Sequence, residues 1–352
     1  MEGALPFSDR GLQLVALVTL LLLACAVAFT LTAAYLRAEN IRNEKRWVRL
    51  EGVWEPMIMS VLTGEVAEGN LLARVHPRDA RYFVEFLLRY GRQLKGVERD
   101  TVLSLAAPYL ERIADDLSHR RPEIRARSLQ TLGELSVEEY SEHFQRALED
   151  QSPLVAMNAA QALALEHDPA YAEKVLRVLD RFQHWSTGYL AAMLANMGPE
   201  SAPRLRAALA DTTRSPQIRA AVARTLTSLR DVASAAVASQ VLRSEDHIDV
   251  IIPVLGLIEK VGDRDQLPVV RQLLRSPDHA VRARAVSTLA NIGTSEDGAH
   301  IRAALDDESN WVVLHAARGL KETGRMDLLA EVAESESPGA IAAQEMLWSG
   351  HA

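Results

Sequence analysis

The sequence predicts an all-α protein, an α-solenoid of stacked helix pairs preceded by a single transmembrane helix. Two observations carry this. A unit of 31 or 32 residues recurs, starting at Pro122, Pro153, His184, Pro216, Ile248, His279 and Asn310. Such a period marks a repeat architecture, in which each unit buries its apolar face only against its neighbours. Ahead of the repeats, residues 12–36 form an apolar run with Gln13 at its edge and only small threonines inside.

Residues 1–11 form a short polar lead. The 25 residues of the apolar run reach about 37 Å as helix, enough to cross a hydrocarbon layer of about 30 Å with some tilt. A cleaved signal peptide needs a basic start and a shorter apolar region, whereas this start carries Glu2 and Asp9 beside Arg10. Leu22-Leu23-Ala24-Cys25 resembles a lipobox, so an outward-facing lipoprotein assembly factor is one alternative. Residues 26–36 nevertheless stay apolar where a mature lipoprotein turns polar, and a retained span is the expectation. Arg37, Arg42, Lys45, Arg46 and Arg49 follow it, against Arg10 before it. The positive-inside rule then puts residues 1–11 outside and the repeats in the cytoplasm. Only five of 39 basic residues are lysines. With heavy alanine use, this suggests a GC-rich bacterial source and hence a bacterial inner membrane.

Residues 37–63 contain no proline until Pro56 and are expected to continue as a juxtamembrane helix. Trp47, Val48, Leu50, Val53 and Trp54 can lie at the bilayer surface or cover the first repeat, the second being favoured. Residues 64–120 are expected to form an N-terminal helical cap. Within it, residues 65–75 read as a loop, 77–95 as a helix rich in aromatics, and 97–117 as its partner, bent or broken near Pro108.

Residues 121–337 hold the repeats. Ten positions into each stands a large aliphatic: Leu132, Leu163, Leu194, Leu226, Ile258, Leu289 and Leu320. Positions 2, 6, 10 and 13 trace one stripe of a helix, and small residues at 6 or 7 let a neighbouring helix approach. Gly198, Gly262, Gly293 and Gly324 follow the stripe, where a left-handed residue is expected. Pro203 and Pro268 then suit the first turn of a second, shorter helix. Residues 338–352 close the other end as a C-terminal cap. Two repeats depart from the pattern: the one from His184 lacks the Val-Arg pair, and the one from Ile248 carries Pro253.

The run from Leu274 to Gly293, Leu-x-Ser-Pro-Asp-x-x-Val-Arg-x-x-Ala-x-x-x-Leu-x-x-Ile-Gly, resembles HEAT-like repeats, most of all the short variety of phycobilisome lyase subunits. The resemblance covers about residues 121–337 and implies a fold rather than a function. A span, a basic stretch, the run Trp54-Glu55-Pro56 and HEAT-like repeats together resemble a group of bacterial membrane proteins. That resemblance implies association with envelope polysaccharide and glycosyltransferase machinery. The lyase resemblance also implies an alternative, a bilin-lyase-like enzyme or subunit, but no bilin-handling motif or soluble cysteine supports it.

Beyond residue 50 there are 33 basic against 43 acidic residues, a field that repels phosphate backbones and makes nucleic acid an unexpected partner. The one cysteine, Cys25, lies in the apolar run, so the rest has no disulfide or thiolate metal site. No His-Glu-x-x-His, phosphate loop or nucleophile elbow occurs. His143, near Glu138, Glu139 and Glu142, reads as part of a solvated acidic face. No catalytic residue, cofactor or metal site is expected. Phe182, Trp185 and Tyr189 cluster in the least regular repeat, either as a repacked core, which is favoured, or as an anchor for a protein partner. Arg125, Arg219 and Arg282 recur at position 3 of their repeats. The favoured reading is that they tie repeat to repeat through acidic neighbours; the other is that they hold an acidic partner. The expected function is a non-enzymatic, membrane-tethered scaffold for membrane-associated protein partners.

Overall fold

The computed structural model describes residues 9–91, 94, 96–135, 138–181 and 185–348, and no strand occurs among them. The chain divides into two compact units, residues 1–109 and 110–352.

The N-terminal unit contains α1 (Asp9–Leu62), α2 (Glu68–Leu72), α3 (Ala80–Gly91) and most of α4 (Val97–Asp115). α1 is one unbroken helix that passes through Pro56. Its apolar stretch is long and apolar enough to cross a membrane, with a mean hydropathy of 2.4 and no burial inside the protein. Its last turns behave differently, because Trp54, Ile58 and Val61 are buried. Trp54 meets Phe83 edge-on at 5.1 Å and Phe86 at 5.7 Å. Trp47 lies edge-on to Tyr82, and the Arg89 guanidinium sits 4.6 Å above its ring. Both indoles therefore cover α3 of this unit rather than the first repeat as expected, while Val48 and Val53 stay exposed.

Two expectations for this unit need correction. Residues 65–75 are not all loop: they contain α2, whose Leu71 is fully buried and gives the short helix an apolar anchor. α4 is not broken at Pro108. Proline removes one helical hydrogen bond, and the complete burial of Leu105 and Ala106 just before it holds the helix through that loss.

The C-terminal unit pairs two helices seven times, the first longer than the second in every pair but α9 with α10: α5 (Pro122–Glu134) with α6 (Ser141–Ala147), α7 (Pro153–Leu165) with α8 (Ala172–Leu179), α9 (Thr187–Ala195) with α10 (Ala202–Ala210), α11 (Pro216–Leu229) with α12 (Ser234–Ser244), α13 (Ile248–Val261) with α14 (Leu267–Leu273), α15 (His279–Ile292) with α16 (Gly298–Ala303), and α17 (Asn310–Glu322) with α18 (Met326–Ala333). Each first helix packs on the next first helix, and α19 (Ala340–Trp348) closes the end against α17 and α18. All seven aliphatics at position 10 are fully buried. By position, these side chains are the shared core of the stack. The first helices start where local chemistry allows: proline opens α5, α7 and α11, and the Ser186, Ser215 and Asp278 side chains accept from first-turn amides, satisfying donors that have no helical partner. α13 passes through Pro253 unbroken.

The glycines divide. Gly198 and Gly324 take positive φ, 75° and 72°, a region that favours glycine, though Gly198 with ψ of 174° is extended rather than a left-handed helix end. Gly262 and Gly293 do not: both are extended, with φ of −77° and −69°. There the chain leaves the helix straight into a capping box, Asp263 with Gln266 and Thr294 with Asp297. Glycine is required by crowding instead, since a Cβ would stand 2.6 Å from the Ile258 carbonyl oxygen and 2.4 Å from that of Leu289. In two other repeats the left-handed position is held by His167 and Arg230.

Candidate partner-binding site

With positions 2, 6 and 10 turned inward, the 3.6-residue turn directs positions 1, 5 and 8 away from that stripe, although Ala221 at position 5 of α11 and Gly256 at position 8 of α13 are buried. Trp185 and Tyr189 occupy positions 1 and 5 of their repeat. Trp185 is half-buried and Tyr189 is 39% exposed, so neither belongs to the core, which Leu190 and Leu194 fill. Their rings lie 5.2 Å apart. The Tyr189 hydroxyl donates to Gln161 Oε1 of the preceding first helix at 3.2 Å, and the Gln217 side-chain amide of the following one donates to the Trp185 carbonyl. Burial pushes the Tyr189 phenol up. Phe182 lies outside the described residues.

The sequence reading missed a second pair in the same place. Trp311 and His315 hold positions 1 and 5 of the last repeat. Trp311 is 55% exposed, its ring centroid 4.9 Å from His315. His315 Nδ1 shares a 2.7 Å hydrogen bond with Ser287 Oγ on the preceding first helix. Burial, with Arg318 and Arg284 nearby, pushes the His315 imidazole down. The signal was available in the sequence as an aromatic at position 1 followed four residues later by a second ring.

The three position-3 arginines are placed otherwise. Arg125 holds Asp150 through both ends of its guanidinium, at 2.9 and 2.8 Å, and donates to the His119 carbonyl. Arg282 does the same to Asp307, at 2.8 and 2.8 Å, and donates to the Ser276 and Pro277 carbonyls. Arg219 donates to the Leu209 carbonyl at 3.0 Å and to Glu245. Each acid lies in the turn before the next repeat and accepts a backbone amide there: Ser152, Ser309 and His247. Arg125 and Arg282 thus clamp the entry to their own helix and the entry to the next, while Arg219 ties the end of α10 to the entry of α13. Arg271 holds Asp297 of the following repeat in a similar way at 2.6 Å.

The acids respond accordingly. The Arg282 hydrogen bonds hold Asp307 below the usual carboxylate range against its burial. Burial pushes Asp150 and Asp297 up, but Arg125 with the Ser152 amide, and Arg271 with Thr294, outweigh it and leave both lowered. These arginines are consumed in the stack and are not presented to a partner. A cleft of about 950 Å³ also lies across the late repeats, lined among others by Ile248, Leu274, Arg275, His300 and Ala304. Among the described residues no group of acids, histidines or cysteine is placed to hold a metal ion.

Residues 239–321 match the family model for HEAT repeats. No curated protein sequence matches the chain. Among solved structures, it is similar to the complex of CpcE and CpcF of phycocyanin lyase from Nostoc sp., at 16% identity over 69% of this chain and 88% of that one, with a TM-score of 0.33. Human deoxyhypusine hydroxylase gives 16% identity over 71% and 97%, with a TM-score of 0.32. Importin beta gives 15% identity over 82% and 48%, with a TM-score of 0.45. The matched segment runs from α12 to α17, and the remaining pairs repeat the same helix-pair arrangement.

Proposed function

We propose that the chain is a non-catalytic scaffold, held to a membrane by residues 12–36, that binds protein partners along the outer face of its first helices. The observation that carries the binding reading is the partly exposed ring pair Trp185 and Tyr189, with the Tyr189 hydroxyl bonded to Gln161 on the preceding first helix and the Trp185 backbone carbonyl bonded to Gln217 on the following one. Rigid, half-buried aromatics are the side chains that dominate protein interfaces, because they bring large area at little entropic cost. The tether is supported by the bare apolar stretch of α1. A tether confines the repeats to the plane in which a membrane-bound partner diffuses and raises its effective concentration. The flanking charge favours repeats on the cytoplasmic side of a bacterial inner membrane. The partner class is envelope polysaccharide and glycosyltransferase machinery, on the resemblance of the span, the basic stretch and the repeats taken together.

The test is complementation of a deletion strain. A chain whose residues 12–36 are exchanged for an unrelated span restores function, and the soluble repeat part alone does not. Full rescue by the soluble part removes the tether from the reading. Trp185→Ala with Tyr189→Ala weakens capture of crosslinked membrane partners while the melting temperature moves little. A large fall in melting temperature with capture intact returns the two rings to a structural role. Loss of function in one folded variant with a single polar substitution points to an enzyme.

A further inference from the structure

We infer that a basic stripe on α1, formed by Arg42, Lys45 and Arg49, binds the headgroups of anionic phospholipids and sets the direction in which the helix leans. The inference rests on the reading of residues 12–36 as a span. At spacings of three and four, the three side chains share one face of the helix. All three are exposed. Trp54, Ile58 and Val61 mark the buried face of the same helix. At 3.6 residues per turn the stripe stands about 160° from that face, on the side away from α3. The nearby basic groups that do find acids lie elsewhere: Arg46 pairs with Asp79, and Arg89 pairs with Glu51. Among the described residues the stripe forms no such pair.

Position along the helix supplies the ligand. α1 continues without a break past the apolar run, so distance from the hydrocarbon edge follows from the rise of 1.5 Å per residue. Counted from Leu36, Arg42 stands about 9 Å out, Lys45 about 13 Å and Arg49 about 20 Å. The polar layer of a bilayer is roughly 5–7 Å deep on each side, and its surface potential falls off over about 8–10 Å. Arg42 and Lys45 are therefore within its reach. Arg49 is at the margin and comes closer when the helix leans toward the stripe. A lean is expected, because about 37 Å of apolar helix has to fit roughly 30 Å of hydrocarbon. A lean toward the stripe lowers three cations onto anionic headgroups and lifts the face that carries α3 away from the bilayer.

The experiment uses the full chain in two measurements. Flotation with vesicles of phosphatidylcholine alone reads the span. Spin-labelled phosphatidylglycerol against spin-labelled phosphatidylcholine, in proteoliposomes, reads the stripe as the relative association of the two lipids with the protein. The expected preference for phosphatidylglycerol is about fivefold at low salt, the yield of one side chain close to a charged surface. It falls toward unity in 1 M salt, where the screening length is about 3 Å. It also falls in Arg42→Gln/Lys45→Gln/Arg49→Gln, and among single variants most in Arg42→Gln and least in Arg49→Gln. Equal association of the two lipids, or a preference unchanged by the triple variant, overturns the inference. Flotation on phosphatidylglycerol vesicles but not on phosphatidylcholine keeps the stripe and removes the span. Flotation on neither removes both.

Discussion

Removing the Arg282 guanidinium is expected to uncouple the last two first helices. In Arg282→Met the aliphatic stem remains, so packing changes little. What is lost is the twin bond to Asp307, at 2.8 and 2.8 Å, and the bonds to the Ser276 and Pro277 carbonyls. Both partners are nearly enclosed, with 10% and 13% of their side chains exposed. Breaking an enclosed ion pair by deleting one member costs about 3–5 kcal/mol, because the other charge stays behind. Asp307 keeps the Ser309 amide at 2.8 Å, which places the loss near the lower end, about 3 kcal/mol. The additional contact to Glu308, whose side chain is 88% exposed, adds little. For a body of this size about 3 kcal/mol lowers the melting temperature by roughly 6–12 °C. The assay is a double-mutant cycle with Asp307→Leu, read by urea denaturation and by hydrogen exchange of α15 and α17. Arg282→Met/Asp307→Leu should be more stable than the two single losses add up to, by at least about 1.5 kcal/mol. Additive losses, or a loss under about 1 kcal/mol in Arg282→Met, would refute the clamp.

Three further outcomes follow from other positions. Leu289→Asp should cost several kcal/mol, since Leu289 is fully buried between repeats and the carboxylate gains no partner; an unchanged melting temperature would show that position 10 does not face the core. Arg230→Gly should stabilise by about 1 kcal/mol, because Arg230 holds a left-handed φ of 52° with its side chain exposed and glycine takes that conformation without strain; calorimetry giving a lower melting temperature would contradict this. Asp150, Asp297 and Asp307 have carboxyls held below the usual carboxylate range. Their stabilisation is therefore fully present above the ordinary aspartate pKa of about 3.9 and is lost as pH falls through the lower folded values. Melting temperature measured against pH should bend downward below about pH 4, and Asp307→Asn should weaken that bend; a bend of equal size in Asp307→Asn would assign it to other groups.

The stack was legible because its requirement is local and repeated. Every first helix must bury one stripe, and seven aliphatics at position 10 record it. Glycine was read less well because it answers two demands. Gly198 and Gly324 supply positive φ, whereas Gly262 and Gly293 supply only the absence of a Cβ, and the letter is the same. The capping boxes Asp263-Gln266 and Thr294-Asp297 just after those two glycines were the distinguishing signal. The partners of the arginines were harder, because Asp150, Glu245 and Asp307 stand outside any local motif. A carboxylate nevertheless recurs 25 or 26 residues after Arg125, Arg206, Arg219, Arg271 and Arg282, nearly one repeat along. Of the candidate anchor, Trp185 and Tyr189 were singled out for scarcity of aromatics in the chain. Their exposure was not readable, since the first helix of the repeat from His184 has only nine residues, Thr187–Ala195, and its weak stripe suits a repacked core as well as a surface.

The same arithmetic of charge separates two kinds of cation in this chain. Acids outnumber bases, 47 to 39, so a cation is not left unpaired for want of carboxylates. Arg125, Arg219 and Arg282 find theirs because the helix turn aims position 3 at the entry of the next repeat, where an acid already caps a backbone amide. Such an acid is pre-oriented and partly desolvated, and the arginine that reaches it loses little further freedom in closing the clamp. Arg42, Lys45 and Arg49 have the opposite surroundings. Their face of α1 points away from α3, and Glu51 on the far side is taken by Arg89. Position, rather than composition, keeps those three charges free, and a free basic face directly beyond an apolar helix is suited to a negatively charged surface that approaches from the membrane side.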